Sequence, residues 1–487
     1  MPFVFDNTYI QLPSCFYARQ SPVAVAEPRL VKLNQALAVA LGLDHDRLNS
    51  PDGLAALAGN AVPDGAEPLA MAYAGHQFGS FVPQLGDGRA ILLGEILDPQ
   101  GERFDIQLKG SGRTPYSRAG DGRAWLGPIL REYIVSEGMH ALGIPTTRAL
   151  AVVATGEPVH RETALPGAVL TRVARSHVRI GTFEYFSARR DSGAMRRLAD
   201  YVIARHYPEA AAEQRPYRAL LDSVIDRQAR LIAQWLGVGF IHGVMNTDNM
   251  SIAGETIDYG PCAFMDAYNP ATVFSSIDRG GRYAYGNQPR IAQWNLSRLA
   301  QSLLPLIDED QNKAISEAQA AIDAFPGRFE QAWLDRFREK LGMFETHSDD
   351  ADLIEELLQT MEDSGADFTN TFRALCDTVE GTDSGFRDEL GNSDAGNGWL
   401  DRWRARLARE TVEPFTRATG MRRANPAVIP RNHRVEAVLD AAVTGDLAPL
   451  EDLLRILASP CEDLPHSSIY RYPPEPDEVV HQTFCGT

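Results

Sequence analysis

Lysine is nearly missing from this chain of 487 residues: Lys32, Lys109, Lys313 and Lys340 are all it has. Arginine supplies the rest of the positive charge, so a lysine kept at a motif position is less readily there by accident. Cysteine is scarce too. Cys15, Cys262, Cys376, Cys461 and Cys485 are scattered, odd in number and without C-x-x-C spacing. That excludes a cysteine metal framework and fits a reducing cytoplasm. Long apolar runs are absent; with no stretch of about 18 apolar residues, no transmembrane helix is expected. The start, Met1-Pro-Phe-Val-Phe-Asp-Asn7, has neither a basic segment leading into an apolar run nor Arg- and Ser-rich character. Neither a secretory signal nor a transit peptide is expected, which points to a cytoplasmic protein. Net positive charge is lacking as well, the formal net charge being −18. Nucleic-acid binding requires a basic face and is not expected. The pairs Arg189-Arg190 and Arg196-Arg197 read as solvated helix faces.

What is present is a soluble globular composition, 44% hydrophobic, in a chain long enough for two or three domains. Residues 1–70 read as a loop-rich N-terminal extension with one helix over 29–41, and 51–68 as a linker rich in Gly, Ala and Pro. Over 71–165 the pattern changes. Strands are expected at 90–97 and 104–109, joined by the turn Asp98-Pro-Gln-Gly101. A polar, glycine-rich loop follows at 110–122, then a helix over 126–142 closed by Gly143, and strands at 149–154 and 168–173. Over 166–345 the chain reads as mainly helical, with helices at 220–236 and 293–306. The remainder, 346–487, reads as an acidic helical extension, with helices at 435–442 and 447–457 and a Pro-rich tail. No internal repeat is evident.

The stretch His242-Gly-Val-Met-Asn-Thr-Asp-Asn249, followed by Asp258-Tyr-Gly260, carries the most chemistry. Protein kinases place a catalytic loop H-R-D-x-x-x-x-N before a D-F-G, and the Asn and second Asp hold metal ions against nucleotide phosphates. Here Asn249 stands at the kinase spacing from His242, and Asp258 heads the Asp-Tyr-Gly. Val244 occupies the place of the usual catalytic Asp, while Asp248 places a carboxylate late in the loop. The metal–nucleotide machinery is kept and the handling of the acceptor is changed. Asn249 and Asp258 suit Mg²⁺, which takes oxygen ligands from one or two protein groups plus phosphate.

Lys109 ends a strand downstream of a Gly-x-Gly turn, where a kinase lysine would contact phosphates and be held by a helix Glu. Glu132 is the first choice for that partner and Glu137 the alternative; five residues apart, they do not share a helix face. Gly86-Asp-Gly88-Arg89 resembles half of a phosphate-covering loop, although Ile91 takes the last glycine's place, and taken alone it reads as a hairpin turn. Asp121-Gly122-Arg123 is a second polar turn. Arg172 and Arg179 could clamp phosphates bidentately, but outside a kinase frame they read as surface arginines. His242 reads as a structural histidine holding the loop. His76 and His177 lack zinc spacing.

With these residues laid out, the chain closely resembles the selenoprotein O family of kinase-like protein adenylyltransferases. The matching stretches are Tyr73-Ala-Gly-His-Gln-Phe-Gly79, Gln107-Leu-Lys-Gly-Ser-Gly-Arg-Thr-Pro115, Arg131-Glu-Tyr133, Gly143-Ile-Pro-Thr-Thr-Arg-Ala-Leu150, the loop from His242 to Met250, Asn287-Gln-Pro289, Arg431-Asn-His433 and Tyr472-Pro-Pro474. The resemblance implies an α+β, protein-kinase-like two-lobed fold: a small β-rich lobe at 71–165, a large helical lobe at 166–345, and the two extensions. It implies transfer of AMP from ATP to Ser, Thr or Tyr hydroxyls of proteins, the chain itself included, with release of pyrophosphate. UMP transfer from UTP, ordinary phosphotransfer and a catalytically silent nucleotide-binding pseudokinase are the alternatives. The implied roles place Lys109, supported by Glu132, on the nucleotide phosphates, with Gly86, Gly88, Arg89, Asp121 and Gly122 lining the nucleotide site. Arg172 and Arg179 take phosphates, Asn249 and Asp258 bind Mg²⁺ with Mn²⁺ as the alternative ion, and Asp248 accepts the proton. The expected partners are ATP and hydroxyl-bearing protein substrates, with no nucleic acid and no membrane, for a monomeric protein. Some members carry a redox-active residue near the C-terminus. Cys485 occupies that place here, and Cys262 is the nearest candidate for a regulatory disulfide, since Phe274-Ser-Ser276 offers no cysteine.

Overall fold

Alternating apolar residues build the sheet around which the rest of the chain is arranged. The computed structural model describes residues 3–465 and 467–483. In chain order the strands are β1 (Tyr17–Arg19), β2 (Arg29–Leu33), β3 (Leu69–Met71), β4 (Gly75–Gln77), β5 (Ser80–Val82), β6 (Ala90–Leu97), β7 (Arg103–Lys109), β8 (Ala124–Trp125), β9 (Arg148–His160), β10 (Ala164–Ala174), β11 (Phe240–Ile241) and β12 (Ala263–Phe264). Eight of them form one antiparallel sheet in the order β1-β3-β6-β7-β10-β9-β2, with β8 paired to β10. The register sets Lys109 opposite Ala90 on β6 and Leu170 on β10, and Gln107 opposite Arg172. Because side chains alternate across a strand, Ile106 and Leu108 face one side and Asp105, Gln107 and Lys109 the other.

The Ile106 side packs with Val169 and Val173 against N-terminal residues such as Leu37 and Leu57. On the opposite side Ala168 and Leu170 pack on the helix Leu126–Ala141. That helix is buried nearly all round, because Asn432–Val443 and Ala448–Leu457 cover its outer face. The approach is close: a Cβ at Gly138 would sit 2.9 Å from Pro430 Cγ. Beyond β10 the chain is helical, and Pro216–Gly237 and Gln288–Ile307 form the heart of a second core. A third cluster, around Trp399, Trp403, Phe337 and Phe368, closes the C-terminal part. At its edge the buried Asp350 accepts from Arg338 Nε at 2.7 Å and Arg406 Nε at 2.6 Å. The architecture is therefore α+β, a β-sheet lobe joined to a helical region.

Three local expectations fail for identifiable reasons. Residues 29–33 form an edge strand on β9, not the start of a helix; Leu30 and Lys32 pair with Val153 and Val152. Helix begins after Asn34, whose side chain accepts from Leu37 N at 3.0 Å. So short a run of apolar residues satisfies either periodicity. Residues 51–58 are helix, not linker: Ser50 Oγ accepts from Gly53 N at 3.2 Å, Pro51 stands in the first turn, and Gly59 ends the helix at φ +79°. The Gly86–Arg89 turn does not join paired strands either, since β5 pairs with β4 and β6 with β3 and β7. Leu453, fully buried against the Leu126–Ala141 helix, tests the packing that fixes this helix. Leu453→Ala should cost about 2–5 kcal/mol, read as a lowered thermal midpoint in calorimetry.

Candidate active site

Strands β7 and β10 carry the first half of the site. Lys109 Nζ, on the last residue of β7, meets Glu132 Oε2 of the adjacent helix. Glu137 faces elsewhere and is held by Arg148 at 2.6 and 2.8 Å. Arg172, directly across from Gln107, donates from Nε and Nη2 to Gln107 Oε1 at 3.1 and 2.6 Å. Its Nη1 lies 2.6 Å from Asp258 Oδ1 and 3.3 Å from Glu132 Oε1. Arg179, at the start of the helix Ile180–Ala188, places Nη1 3.0 Å from Asp258 Oδ2 and 2.8 Å from the carbonyl of Asp248. The Arg179 guanidinium stacks 4.4 Å from the Tyr73 ring centroid.

Asp258 is the meeting point, with Lys109 Nζ a further 3.6 Å from Oδ1. Burial pushes its carboxyl upward, but Arg179, Arg172 and Lys109 outweigh that and hold it well below the usual carboxylate range. The same burial lowers Lys109, against the pull of Glu132 and Asp258. Arg172 and Arg179 are buried, not surface arginines. All of these groups border one cavity of about 520 Å³, together with Gly86, Gly88, Arg89, Asp121, Gly122, Asp248 and Asn249.

The loop from His242 forms the second half. His242 is fully buried, donates from Nε2 to Ile257 O at 2.9 Å and stacks on Trp235, so it braces the Asp-Tyr-Gly segment. Gln288 ties this loop down from below: its Oε1 accepts from His242 N at 3.0 Å and its Nε2 donates to Phe240 O at 2.9 Å. Tyr259 hydrogen-bonds Thr146, while Thr256 and the 145–147 segment exchange backbone bonds of 2.9 and 3.0 Å. From above, the β4–β5 hairpin is fastened to the loop. His76 N donates to Thr247 Oγ1 (2.7 Å), Gln77 Nε2 to Asp248 Oδ2 (3.2 Å) and Phe78 N to Asn246 Oδ1 (3.0 Å). Gly75 lies so close that any Cβ there would collide with the Asp248 carboxylate. Asp248 Oδ1 is buried with no hydrogen-bond partner. Burial raises the Asp248 carboxyl to about 6, although Gln77 and Arg179 pull it down.

The glycine-rich turn has a packing reason of its own. Gly86, at φ +84°, leaves room for the Tyr116 ring, with which a Cβ would collide. Thr114 Oγ1 donates to Asp87 O at 2.6 Å and Ser117 Oγ to Gly88 O. The 110–122 loop is thus folded down onto the turn. Asp121 at its far end is held by Arg161 at 2.8 Å.

Three supporting residues escaped sequence reading. Gln107 orients Arg172, Asp87 accepts from Met71 N and Gln107 Nε2 at 3.1 and 3.2 Å, and Gln77 orients Asp248. The signal for Gln107 is present: Asp105, Gln107 and Lys109 make one polar face of an otherwise apolar buried strand. Among the described residues no cluster of three or more His, Cys, Asp and Glu is placed to hold a metal. A hard ion can nonetheless be held by fewer protein groups. Asn249 Nδ2 donates to Val244 O at 2.9 Å, so its Oδ1 is the side-chain atom not used in that bond, and Asn249 and Asp258 border the same cavity. Oxygen donors of this kind are the type Mg²⁺ prefers, and both Asp258 oxygens also meet cations, Oδ1 Arg172 and Lys109 and Oδ2 Arg179.

The chain matches the family model described as protein adenylyltransferase SelO over residues 2–458. It belongs to the SelO family. Among curated relatives, the protein nucleotidyltransferase YdiU of Bradyrhizobium diazoefficiens is 62% identical over 487 residues, covering 100% of this chain and 99% of the relative. The protein of the same name from Rhodopseudomonas palustris is 61% identical, with 100% and 99% covered, and that from Rhizobium johnstonii 59%, with 100% and 97% covered. This SelO-family chain is therefore an enzyme, a protein nucleotidyltransferase.

Of the redox candidates in this SelO-family chain, Cys262 is buried beside Pro261, and Cys485 lies outside the described residues. Thr483 Oγ1 donates to Pro261 O at 2.7 Å, so the tail crosses the chain next to Cys262. The buried charge arrangement yields a direct test. Arg172→Leu takes one cation from Glu132, which keeps Lys109, and one from Asp258, which keeps Lys109 and Arg179, and should cost about 3–5 kcal/mol in chemical denaturation. Adding Glu132→Gln in the same chain should recover part of that loss.

Proposed function

We propose that this enzyme transfers AMP from ATP to Ser, Thr or Tyr hydroxyls of proteins, itself included, on a protein-kinase-like two-lobed frame. The observation that carries this reading is the convergence of Lys109, Arg172 and Arg179 on Asp258, in a cavity that Asp248 also borders. Arg89, Arg118, Arg123 and Arg161 join these three cations around the cavity, seven against the five carboxylates of its lining, and that surplus of positive charge suits phosphate oxygens. Gly86, Gly88, Arg89, Asp121 and Gly122 line the same nucleotide site. Asn249 and Asp258 would hold Mg²⁺, which when bound offsets charge on the phosphates.

In this reading Asp248 acts on the acceptor. Its Oδ1, buried and unpartnered, accepts the hydroxyl proton as the acceptor oxygen attacks the α-phosphorus. The new oxygen–phosphorus bond forms as the bond to the bridging oxygen breaks, and pyrophosphate leaves with that electron pair. Gln77 fixes the carboxylate's orientation, and Val244 leaves the usual kinase position without a base. Lys109, Arg172 and Arg179 position the phosphates, and the surrounding protein limits water.

The deciding measurement compares labels. Label from the α-phosphate of ATP should appear on the protein, and label from the γ-phosphate should not. Transfer of γ-label would make the enzyme an ordinary phosphotransferase, and binding without transfer a pseudokinase. UTP belongs in the same series because the relatives' name leaves the nucleotide open, and Mn²⁺ is compared with Mg²⁺. Asp258→Ala should abolish α-label transfer; undiminished self-modification would end the metal assignment.

The proton acceptor has its own test. Asp248 works as a base when ionised, and its carboxyl sits at about 6. Activity should therefore be full above that pH and fall as the pH drops through it. Asp248→Asn should lower kcat by about 10²–10⁴-fold and remove this acidic limb. A limb that persists in Asp248→Asn would assign the titration to another group.

A further inference from the structure

The cavity opens beside an apolar rim that the core does not need. At the tip of the β4–β5 hairpin Phe78 adopts φ +51°, a left-handed conformation unfavourable for a bulky side chain. Its backbone is kept there by the bond from Phe78 N to Asn246 Oδ1, an oxygen that also accepts from Tyr283 OH at 2.6 Å. The ring itself packs edge-on to Tyr283 at 5.1 Å but remains 37% exposed. Ile277, 59% exposed on the loop that follows Asp-Tyr-Gly, borders the same cavity as Phe78 and Asp248. A strained backbone that keeps a large apolar side chain in solvent beside a reacting group points to contact with a partner.

The neighbouring charge says which kind. Arg282 lies with its guanidinium carbon 4.8 Å from the Trp294 ring and 3.7 Å from where a Cβ on Gly79 would be. Arg279 is exposed a few residues before it. Among the described residues neither arginine takes part in an ion pair, although the chain carries a net charge of −18. Most other arginines of the site are paired with carboxylates; these two are not.

We propose that Phe78, Ile277, Arg279 and Arg282 dock the acceptor polypeptide as an extended acidic segment. An apolar side chain next to the acceptor residue rests on Phe78 and Ile277, and a carboxylate one or two residues beyond meets Arg282. The acceptor hydroxyl then points at Asp248 Oδ1. This surface rests on the reading that a protein hydroxyl receives the nucleotidyl group, and it adds the sequence context of that hydroxyl.

The test uses the full chain and three synthetic peptides. Each has one Ser preceded by Phe and followed by two Glu, two Gln or two Lys. With α-labelled ATP the Glu peptide should be modified about tenfold better than the Lys peptide, mainly through KM. Arg282→Glu should reverse that order while affinity for a fluorescent ATP analogue stays unchanged. Ile277→Asp should weaken all three peptides, and reads the surface from a second loop should Phe78→Ala disturb the hairpin. Equal use of the three peptides, or an equal loss on all of them in Arg282→Glu, overturns the docking surface. Fluorescence anisotropy of the same peptides separates the two readings. Preferential binding of the Glu peptide without any α-label transfer would keep the surface and sink AMP transfer. Label on the protein with no flank preference would do the reverse.

Discussion

A single carboxylate facing three buried cations holds this molecule's working parts in register. Asp258 comes from the helical region, Lys109 and Arg172 from adjacent strands of the sheet, and Arg179 from the connection between them. Buried charges are expensive unless paired and hydrogen-bonded, so each of these elements is fixed relative to the others. Glu132 extends the arrangement to the helix Leu126–Ala141, and Gln107 extends it across the sheet. The cluster orients the site more than it stabilises the fold: an apolar replacement of the whole set could be as stable, whereas loss of one member leaves uncompensated charge.

Around that centre the chain uses short polar clamps where a smooth apolar core would leave too much freedom. Gln288 fixes the His242 loop from the helix beneath it, Thr146 and Thr256 fix the Asp-Tyr-Gly, and the β4–β5 hairpin closes over the loop from above. The effect on Asp248 follows from this enclosure. Gly75 brings backbone against the carboxylate, Gln77 satisfies one oxygen, and the other is buried without a hydrogen-bond partner among the described residues. Its carboxyl rises for the same reason that Asp258 falls: the two share burial and differ in how many cations stand within reach.

Much of the site was legible because its chemistry demands particular residues at short, contiguous spacing. Asn249, Asp258 and Lys109 could be singled out on that basis, as could the strands 90–97, a nearly continuous apolar run, and 104–109, whose alternation is regular. Glu132 could be preferred over Glu137 because it lies in the first part of the helix, and it is the one that meets Lys109. The supporting residues were hidden because their partners lie far along the chain: Gln77 serves Asp248, and Gln107 serves Arg172 from a neighbouring strand. Local errors arose where two periodicities coincide over a few residues, as at 29–33, or where composition resembles a linker although Ser50 and Pro51 start a helix.

The glycines of the 86–88 turn show why a motif and its cause need separate arguments. Read along the chain, Gly86 and Gly88 suggest a backbone left bare for phosphate. Their immediate reason is packing, because Tyr116 lies over Gly86 and Ser117 closes on Gly88. The two explanations meet in the loop 110–122, which is folded onto the turn and borders the same cavity as Lys109. A side chain at either glycine would push this loop outward and, with it, Asp121 and Gly122. Shape is therefore passed from the turn to the loop through van der Waals contact, and the site's width depends on a missing Cβ as much as on any charge.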